Sequence, residues 1–319
     1  MGFIAFNLGN NSKFFMDISI VIVNRNTKSL LLKCLDSITK TVKNIEFEIW
    51  LVDNGSYDGS AEAALEAFPH INLIRNTENL GFAAANNQAF RKIRGRYAFL
   101  LNSDAFLTEN AAADLFKFME HTSDAAMACG QLLFPDGSKQ NSFARFPTPF
   151  TLLLGDGLYQ ILFPSSHPVK RQNFDKPVQV DSCIGACMIV RKNAMDQAGL
   201  LDERYFFFME ETDWAKSMSE QGWKVYFVPW VKVYHAQGKS IGGNADSRIM
   251  FYRSRYKYFK KWYSNTMPLV YSFILIKVIA NIILNGLGTL LTFGFVDSLK
   301  HKFKVNWAIL IWHLKGCHP

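Results

Sequence analysis

The chain has 319 residues, of which 49% are hydrophobic, so it is long and apolar enough to bury one large or two ordinary globular cores. Its formal net charge is +8, but residues 248–319 hold 11 Lys or Arg against one acid, which leaves residues 1–247 at −2. Because the basic excess is confined to the C-terminal region, we expect no nucleic-acid partner. The five cysteines are odd in number and lack Cys-x-x-Cys spacing, which argues against a disulfide framework or a zinc site.

Strands and helices alternate in the first 120 residues. We predict that residues 1–15 are a flexible extension, because they do not have the pattern of a signal peptide. β-Branched or apolar runs predict strands, and apolar residues at helical spacing predict helices. The strands are Ile18–Val23, Glu46–Val52, Ile71–Arg75 and 97–101, and the helices are Ser29–Lys40, Ala61–Phe68, Ala83–Arg94 and 108–120. Short links between them predict an α/β fold with a doubly wound, mostly parallel sheet and helices on both faces.

The pattern loosens after about residue 120. We predict strands at Met127–Phe134, Ser182–Arg191, Val225–Val228 and Val231–Tyr234, and helices at Asn193–Ala198 and Glu210–Gln221. Residues 141–180 are predicted to be irregular because they hold five prolines. Irregular stretches of this length in compact domains usually carry function or are mobile.

Polar side chains stand at the ends of four predicted strands: Asn24, Asp53, Asn102 with Asp104, and His235. Ligands of open α/β sheets bind in the crevice beyond the carboxyl ends of the strands, so we expect these residues to lie close together. Each has a simpler interpretation by itself. Asp53 could be a turn residue, Asp104 a helix cap, and His235 a core histidine.

The chemistry of these groups suits a nucleotide and a divalent cation. Asp104 and His235 would give mixed oxygen and nitrogen ligation with room for water and diphosphate oxygens, which favours Mn²⁺ or Mg²⁺. Asp53 could accept the N3–H of a pyrimidine. Asn79 and Gly81 precede a helix whose first N–H groups could face phosphate or ribose oxygens, although a tight turn explains the glycine equally well.

Two adjacent carboxylates, Glu210 and Glu211, follow three consecutive phenylalanines. Desolvation and mutual repulsion both raise the pKa of a carboxyl group, which would make one of them a better proton acceptor from a hydroxyl. The alternative is that Glu210, Glu211 and Asp213 only complement the dipole of the helix that follows.

Taken together, these segments resemble the inverting family 2 glycosyltransferases of the GT-A fold, particularly the rhamnosyltransferase-like branch that builds bacterial surface polysaccharides. The likeness runs from about Ile18 to about Ser240. Its seven blocks occur in order: Val21-Ile22-Val23-Asn24, Asp53-Asn54-Gly55-Ser56, Asn79-Leu80-Gly81-Phe82 with Asn86-Asn87, Leu101-Asn102-Ser103-Asp104, Gly185-Ala186-Cys187-Met188, Phe208-Met209-Glu210-Glu211-Thr212-Asp213, and His235 with Ser240.

The resemblance implies a donor site for a dTDP- or UDP-sugar. Asn24 and Asp53 would bind the nucleotide, with Asp53 on the base. Asp104 would be the metal-binding end of an Asp-x-Asp motif, with His235 as a further ligand. Asn102 stands where the motif has its first acid, so metal binding depends more on Asp104.

The resemblance also implies an acceptor side. Gly185 and Ala186 would pass close to the donor sugar or the acceptor. Glu211 would be the general base with Glu210 beside it, although the family usually has Asp at that position, which leaves the choice between the two open. The implied reaction moves a sugar, with rhamnose suggested by the branch, to a saccharide or lipid-linked saccharide with inversion, in cell-surface polysaccharide biosynthesis. The alternative is a non-catalytic sugar-nucleotide-binding or scaffold subunit of an assembly complex.

The C-terminal region, residues 246–319, has the composition of a membrane-associated segment. Basic and aromatic residues alternate in residues 248–264, which suits an anionic membrane surface. Residues 267–296 are mostly apolar, and we predict an interfacial or re-entrant helical pair broken near Asn285-Gly286, with a single span as the alternative. We therefore assign residues 16–245 to the catalytic domain and place it on the cytoplasmic side of the cell membrane.

Overall fold

A computed structural model describes residues 16–163, 168, 172–236 and 244–316. The predicted N-terminal extension and Ser240 lie outside these residues. The strands are β1 (Met16–Asn24), β2 (Phe47–Asn54), β3 (Asn72–Asn76), β4 (Gly95–Leu101), β5 (Ala105–Leu107), β6 (Ala125–Leu133), β7 (Phe143–Ala144), β8 (Val178–Val180), β9 (Ser182–Cys183), β10 (Cys187–Arg191) and β11 (Lys224–His235). The helices are α1 (Lys28–Thr41), α2 (Ser60–Ala67), α3 (Phe82–Phe90), α4 (Ala111–His121), α5 (Pro149–Leu162), α6 (Lys192–Ala198), α7 (Glu210–Ser219), α8 (Ala245–Trp262), α9 (Met267–Leu291) and α10 (Asp297–Leu314), with a 3₁₀ turn at Ser264–Thr266.

The central sheet has nine strands within the described residues, in the order β3-β2-β1-β4-β10-β6-β11-β5, with β8 also paired to β11. The N-terminal part, β3-β2-β1-β4, is parallel as predicted. The second part is mixed because β10 runs antiparallel between β4 and β6, and β11 runs parallel to β6 but antiparallel to β5. The predicted α/β fold with a large central sheet is therefore confirmed, and its parallel character is confined mainly to the first half.

Helices cover both faces of this sheet. On one face, Ile20 of β1 packs in a buried cluster with Leu35 of α1 and Leu115 of α4. On the other face, Val21 lies in a second cluster with Trp214 of α7, together with residues of α3 and α6. Successive residues of a strand point to opposite faces, so β1 contributes to both cores and its apolar run is nearly continuous.

Three predictions for the second half of the domain need correction. The strand predicted at Ser182–Arg191 is interrupted at residues 184–186, and the two strands predicted at residues 225–234 form the single strand β11, which has an irregular register against β6. Residues 141–180 contain β7, β8 and the helix α5, which is kinked at Gly155. A Thr148 capping box and Pro149 at its first turn start α5, so this proline begins a helix and does not prevent one.

The C-terminal region packs as a helical unit against the domain. Tyr256 and Phe259 of α8, Ile274 of α9 and Ile309 of α10 share one buried cluster. The predicted break near Asn285-Gly286 is wrong, because α9 continues through these residues to Leu291 and the Asn285 amide donates to the Asn281 carbonyl (2.6 Å). The chain turns back at residues 292–296, and α10 packs along α9. A helical pair is therefore present, but its turn lies later than predicted.

Candidate active site

The ends of β1 and β2 bring the first two predicted residues together. Asn24 and Asp53 are register partners in these parallel strands, and the Asn24 amide donates to Asp53 Oδ1 at 3.3 Å. The Thr27 hydroxyl donates to Asn24 Oδ1 (2.6 Å) and lies 2.9 Å from the Ser103 hydroxyl, next to Asp104. A continuous chain of polar contacts therefore runs along the carboxyl edge of the sheet from β2 to the end of β4.

Antiparallel pairing of β5 with β11 places Asp104 beside His235. His235 pairs with Ala105, the Ala236 N–H donates to the Asp104 carbonyl (2.9 Å), and His235 Nε2 lies 3.3 Å from Asp104 Oδ1. Both residues are buried, with Asp104 4% and His235 7% exposed. Two residues that lie 131 positions apart in the chain thus share one buried polar contact.

Gln140 fixes the tautomer of His235. Its amide nitrogen lies 2.6 Å from the His235 carbonyl and 3.3 Å from the Leu133 carbonyl, so the amide oxygen, 2.9 Å from His235 Nδ1, must be the acceptor there. Nδ1 therefore carries a proton, and in neutral His235 the lone pair of Nε2 faces a carboxylate oxygen of Asp104. Two acceptors at this distance need a proton or a cation between them.

The donor set at this position fits a divalent cation bound jointly with a ligand. An imidazole nitrogen and a carboxylate oxygen are common ligands of Mn²⁺, and the hydrogen bond from Nδ1 to Gln140 orients the imidazole ring. Phosphate oxygens of the substrate can complete the coordination. Among the described residues, no group of three or more His, Cys, Asp or Glu side chains could hold a metal ion. A cation held by Asp104 and His235 would therefore take only part of its ligands from the described residues.

The turn between β9 and β10 connects this edge to the carboxylate pair. The Asn102 N–H donates to the Ala186 carbonyl at 2.9 Å, and the N–H of the preceding Gly185 stabilises the charge of the Glu211 carboxylate. A Cβ on Gly185 would lie 4.0 Å from Cβ of Glu211 and 3.7 Å from the Phe82 ring. The predicted residues Asn102, Gly185, Ala186 and Glu211 therefore lie next to one another.

Glu210 and Glu211 occupy different surroundings at the start of α7. Glu210 is buried, whereas Glu211 lines an open cavity. Burial, and next the charge of Glu211, raises the pKa of Glu210 well above its ordinary value. Burial also raises the pKa of Glu211, and the backbone N–H groups of Glu211, Gly185 and Thr212 partly oppose that shift. Oε2 of each carboxyl is buried and has no hydrogen-bond partner among the described residues.

The backbone immediately before this pair is strained. Phe208 (φ +70°) and Met209 (φ +72°) both adopt the left-handed conformation, which is unfavourable for bulky residues by roughly 1–3 kcal/mol each. The Phe206 carbonyl accepts the Phe82 N–H at 2.8 Å, and the Phe207 carbonyl accepts the Ser254 hydroxyl at 2.7 Å. These contacts to α3 and α8 hold residues 206–209 in the conformation that directs Glu211 to the cavity.

The turn before α3 is held by hydrogen bonds within the protein. The Leu80 N–H donates to Asn54 Oδ1 (3.0 Å), the Gly81 N–H to Asn79 Oδ1 (3.1 Å) and the Phe82 N–H to the Phe206 carbonyl (2.8 Å). These three N–H groups are therefore not available to a phosphate, and the role of Asn79 and Gly81 in donor binding stays a prediction. Gly81 is required for a different reason, because its φ is +85° and a Cβ would lie 2.5 Å from the Phe206 carbonyl oxygen.

Comparison with known proteins identifies the family. Residues 19–199, more than half of the chain, match the profile described as Glycosyl transferase family 2. The chain is a family 2 glycosyltransferase. The match covers five of the seven sequence blocks that predicted this family, and the block at residues 208–213 and His235 lie beyond it. The family prediction is confirmed.

Relatives of this glycosyltransferase include a rhamnosyltransferase and an O-antigen biosynthesis protein. The N-acetylglucosaminyl-diphospho-decaprenol L-rhamnosyltransferase of Mycobacterium tuberculosis is 27% identical over 219 residues, which cover 63% of this chain and 70% of that protein. The O-antigen biosynthesis protein RfbC of Myxococcus xanthus is 24% identical over 253 residues, which cover 77% of this chain but only 19% of that protein.

Solved structures show that the glycosyltransferase has the GT-A fold. GalNAc-T7 with UDP, GalNAc and Mn²⁺ superposes with a TM-score of 0.57 at 18% identity, covering 76% of this chain and 48% of that one. The mannosyltransferase PcManGT from Pyrobaculum calidifontis, in complex with GDP-Man and Mn²⁺, superposes with a TM-score of 0.56 at 15% identity, covering 94% and 86%.

Sequence reasoning missed two parts of the site. Gln140 lies in the segment predicted to be irregular, and nothing in its neighbourhood indicates that it contacts a histidine 95 residues later. The strain at Phe208 and Met209 was also missed, although three consecutive aromatic residues before two acids are an unusual pattern that could have drawn attention to this loop.

Proposed function

We propose that this glycosyltransferase transfers a sugar, with rhamnose the first candidate, from a dTDP- or UDP-sugar to a hydroxyl of a saccharide or lipid-linked saccharide, with inversion and with Mn²⁺ or Mg²⁺. The names of the relatives support a role in bacterial surface polysaccharide synthesis. The observation that carries the proposal is that Asn102, next to Asp104 along the edge of the sheet, donates to the Ala186 carbonyl, while the adjacent Gly185 lies beside Glu211.

The residues divide the reaction between them. Asp53 and Asn24 bind the nucleotide, while Asp104 and His235 Nε2 hold the cation. When bound, the cation supplies Lewis-acid stabilisation of the charge on the leaving nucleoside diphosphate. Glu211 accepts the proton of the acceptor hydroxyl, whose oxygen attacks the anomeric carbon from the face opposite the leaving group. A single displacement of this kind inverts the configuration.

Donor turnover tests this function. The purified protein is incubated with a panel of nucleotide sugars with Mn²⁺, Mg²⁺ or chelator, and nucleoside diphosphate release and sugar transfer are measured. We expect metal-dependent release from one donor and its loss in Asp104→Ala, with Asp136→Ala in an exposed turn as the control. If no donor is turned over but a nucleotide sugar still binds, the non-catalytic scaffold function replaces the proposal.

We also propose that the C-terminal helices place the enzyme on the cytoplasmic face of the membrane. The helical segment Ser264–Leu291 is long and apolar enough to cross a bilayer. At the turn that follows, Phe293 and Phe295 are 86% and 87% exposed, which is unfavourable in water. Lys300 and Lys302 follow closely on α10, and carrying them across the bilayer is costly. Shallow insertion of the turn is therefore favoured over a complete span.

Vesicle sedimentation tests this placement. The full chain should sediment with vesicles that contain phosphatidylglycerol and bind less to vesicles of phosphatidylcholine alone. Replacing Phe293 and Phe295 together by Ser should reduce the bound fraction, whereas Trp230→Ser, at another exposed aromatic residue, should not. Equal binding of both variants would contradict insertion of the turn.

A further inference from the structure

The structure contains a second recognition feature next to Glu211. A cavity of about 700 Å³ extends away from the base and is lined by Arg145, Asp181, Ile184, Glu211 and Arg255, among others. None of the described residues that line the cavity is a candidate nucleotide-binding or metal-binding residue. Glu211 connects the cavity to those residues because it lies beside Gly185. The cavity therefore adjoins the reacting centre from the side of the base, where an acceptor must enter.

Arg145 is arranged to bind an anion. Its guanidinium carbon lies 4.3 Å from the ring centroid of Tyr159, and one terminal nitrogen donates to Gln160 Oε1 at 3.2 Å. Its Nε is buried and has no hydrogen-bond partner among the described residues. A stacked guanidinium with spare donors matches the geometry of a phosphate group.

Arg255 adds a second cation to the same wall. It belongs to α8, and its guanidinium carbon lies 5.8 Å and 6.0 Å from the ring centroids of Phe251 and Phe259. The acidic residue Asp181 also lines the cavity, and its carboxylate accepts the Phe146 N–H at 2.8 Å. Two arginines therefore line the same cavity as Asp181 and the proposed proton acceptor Glu211.

The helix α5 connects the cavity to an apolar surface. Thr151, Gly157 and Gln160 of α5 line the cavity, whereas Leu153 and Ile161 are among its exposed apolar residues. The helix also packs against α9, the helix that we place at the membrane. A ligand with a phosphate in the cavity could therefore continue as a lipid chain along the outer side of α5.

We propose, building on the proposed function, that Arg145 and Arg255 bind the phosphate or diphosphate of an acceptor whose sugar hydroxyl faces Glu211 and whose lipid chain follows α5. The acceptor class is a lipid-linked sugar phosphate. A free sugar phosphate shares the recognised group but lacks the chain. Both arginines are positioning residues for the acceptor, since they contact the phosphate and not the reacting oxygen.

Acceptor kinetics test this assignment. KM is measured, with the donor saturating, for three acceptors with the same saccharide: the diphosphate of a long-chain lipid, the diphosphate with a short soluble chain, and the saccharide without phosphate. Arg145→Gln and Arg255→Gln should each raise KM for both phosphorylated acceptors by about 10- to 100-fold, as expected for loss of a charge-assisted hydrogen bond. They should not change KM for the saccharide without phosphate.

Controls separate the possible failures. Arg253→Gln, two residues before Arg255 but outside the cavity lining, should retain the wild-type KM for the short-chain acceptor. Arg145→Lys keeps the charge without the planar fork and should recover part of the affinity. A lower KM for the long-chain acceptor than for the short-chain one identifies the lipid-linked form as the substrate. Equal KM values would mean that the site recognises only the phosphate, and they would overturn the role of α5.

The assignment of the arginines is overturned if wild-type donor turnover is present but both Gln variants keep the wild-type KM for phosphorylated acceptors. It is also overturned if the same loss occurs with the saccharide without phosphate, because the arginines then support the fold or the sugar. If the wild-type enzyme turns over no donor, the proposed function itself fails. The outcomes for the two proposals are therefore distinguishable.

Discussion

Replacement of Glu211 by Gln removes the proposed proton acceptor with little change in volume. Gln keeps a carbonyl oxygen that can accept the Gly185 N–H, so the turn that carries Gly185 and Ala186 should keep its position. A general base typically contributes about 10²- to 10⁴-fold in rate, which corresponds to about 2.7–5.5 kcal/mol of activation free energy. We expect kcat for transfer to fall within this range, and the dissociation constant of the donor to stay close to that of the wild type.

The assay combines two measurements on the same preparations. Sugar transfer is followed with saturating donor and acceptor, and donor binding is followed by calorimetry with Mn²⁺ present. Glu210→Gln is the matched variant, because it makes the same chemical change at a buried carboxyl that does not line the cavity. It should keep much more transfer activity than Glu211→Gln.

The pH profile gives an independent check. Burial raises the pKa of Glu211, so wild-type kcat/KM should decrease as the pH falls through a value above the ordinary 4.5 of glutamate. Near-wild-type transfer by Glu211→Gln, together with loss of transfer in Glu210→Gln, would refute the assignment and make Glu210 the base. Loss of donor binding in Glu211→Gln would show that the residue supports the donor site instead.

Four further outcomes are expected. Gln140→Ala frees the tautomer of His235 and should weaken Mn²⁺ binding by about 10- to 100-fold, as measured by calorimetry. Gly81→Ala places a Cβ against the Phe206 carbonyl, so urea unfolding should show a loss of more than about 1 kcal/mol, and transfer should fall with it. Asp213→Asn should lower the free energy of unfolding by about 3 kcal/mol, because this buried carboxylate accepts from Lys261 and Trp262. Glu210→Gln should raise the melting temperature at pH 7 but not at pH 4. Because the pKa of Glu210 is raised in the folded state, the wild-type protein loses stability as the pH rises from about 4.5 through the folded pKa. Gln does not ionise, so the variant does not suffer that loss.

The parallel half of the sheet could be predicted because its signals are local. Each strand is a short apolar run, each following helix has its own periodicity, and the polar residues at the strand ends must meet at one edge when the strands are parallel. The proximity of Asn24 to Asp53 follows directly from that register. The proximity of Asp104 to His235 depends on the pairing of β11 with the short strand β5, which was not predicted. The sequence therefore predicted that the two residues meet, but not the strand pairing that brings them together.

The remaining parts depend on contacts that no local pattern contains. The kinked helix α5 was hidden by prolines and glycines that end helices in other settings, and here one of those prolines starts it. The expected break at Asn285-Gly286 was based on residues that are weak helix formers. Packing of α10 places Phe303 beside Gly286, where a Cβ would be 3.3 Å from its ring, so the missing side chain serves close helix packing and not a turn.

One buried network joins the C-terminal helices to the catalytic helix. Asp213, in the first turn of α7, accepts from Lys261 Nζ at 2.6 Å, from Trp262 Nε1 at 2.7 Å and from the Tyr205 hydroxyl at 3.3 Å. Glu210 and Glu211 open the same helical turn, and the left-handed residues before them are held in part by Ser254 of α8. The conformation that directs Glu211 to the cavity therefore depends on α8, and α8 packs on the helices that we place at the membrane. The same contacts therefore link the orientation of Glu211 to the helices that we propose to lie at the membrane, as the proposed transfer to a lipid-linked acceptor requires.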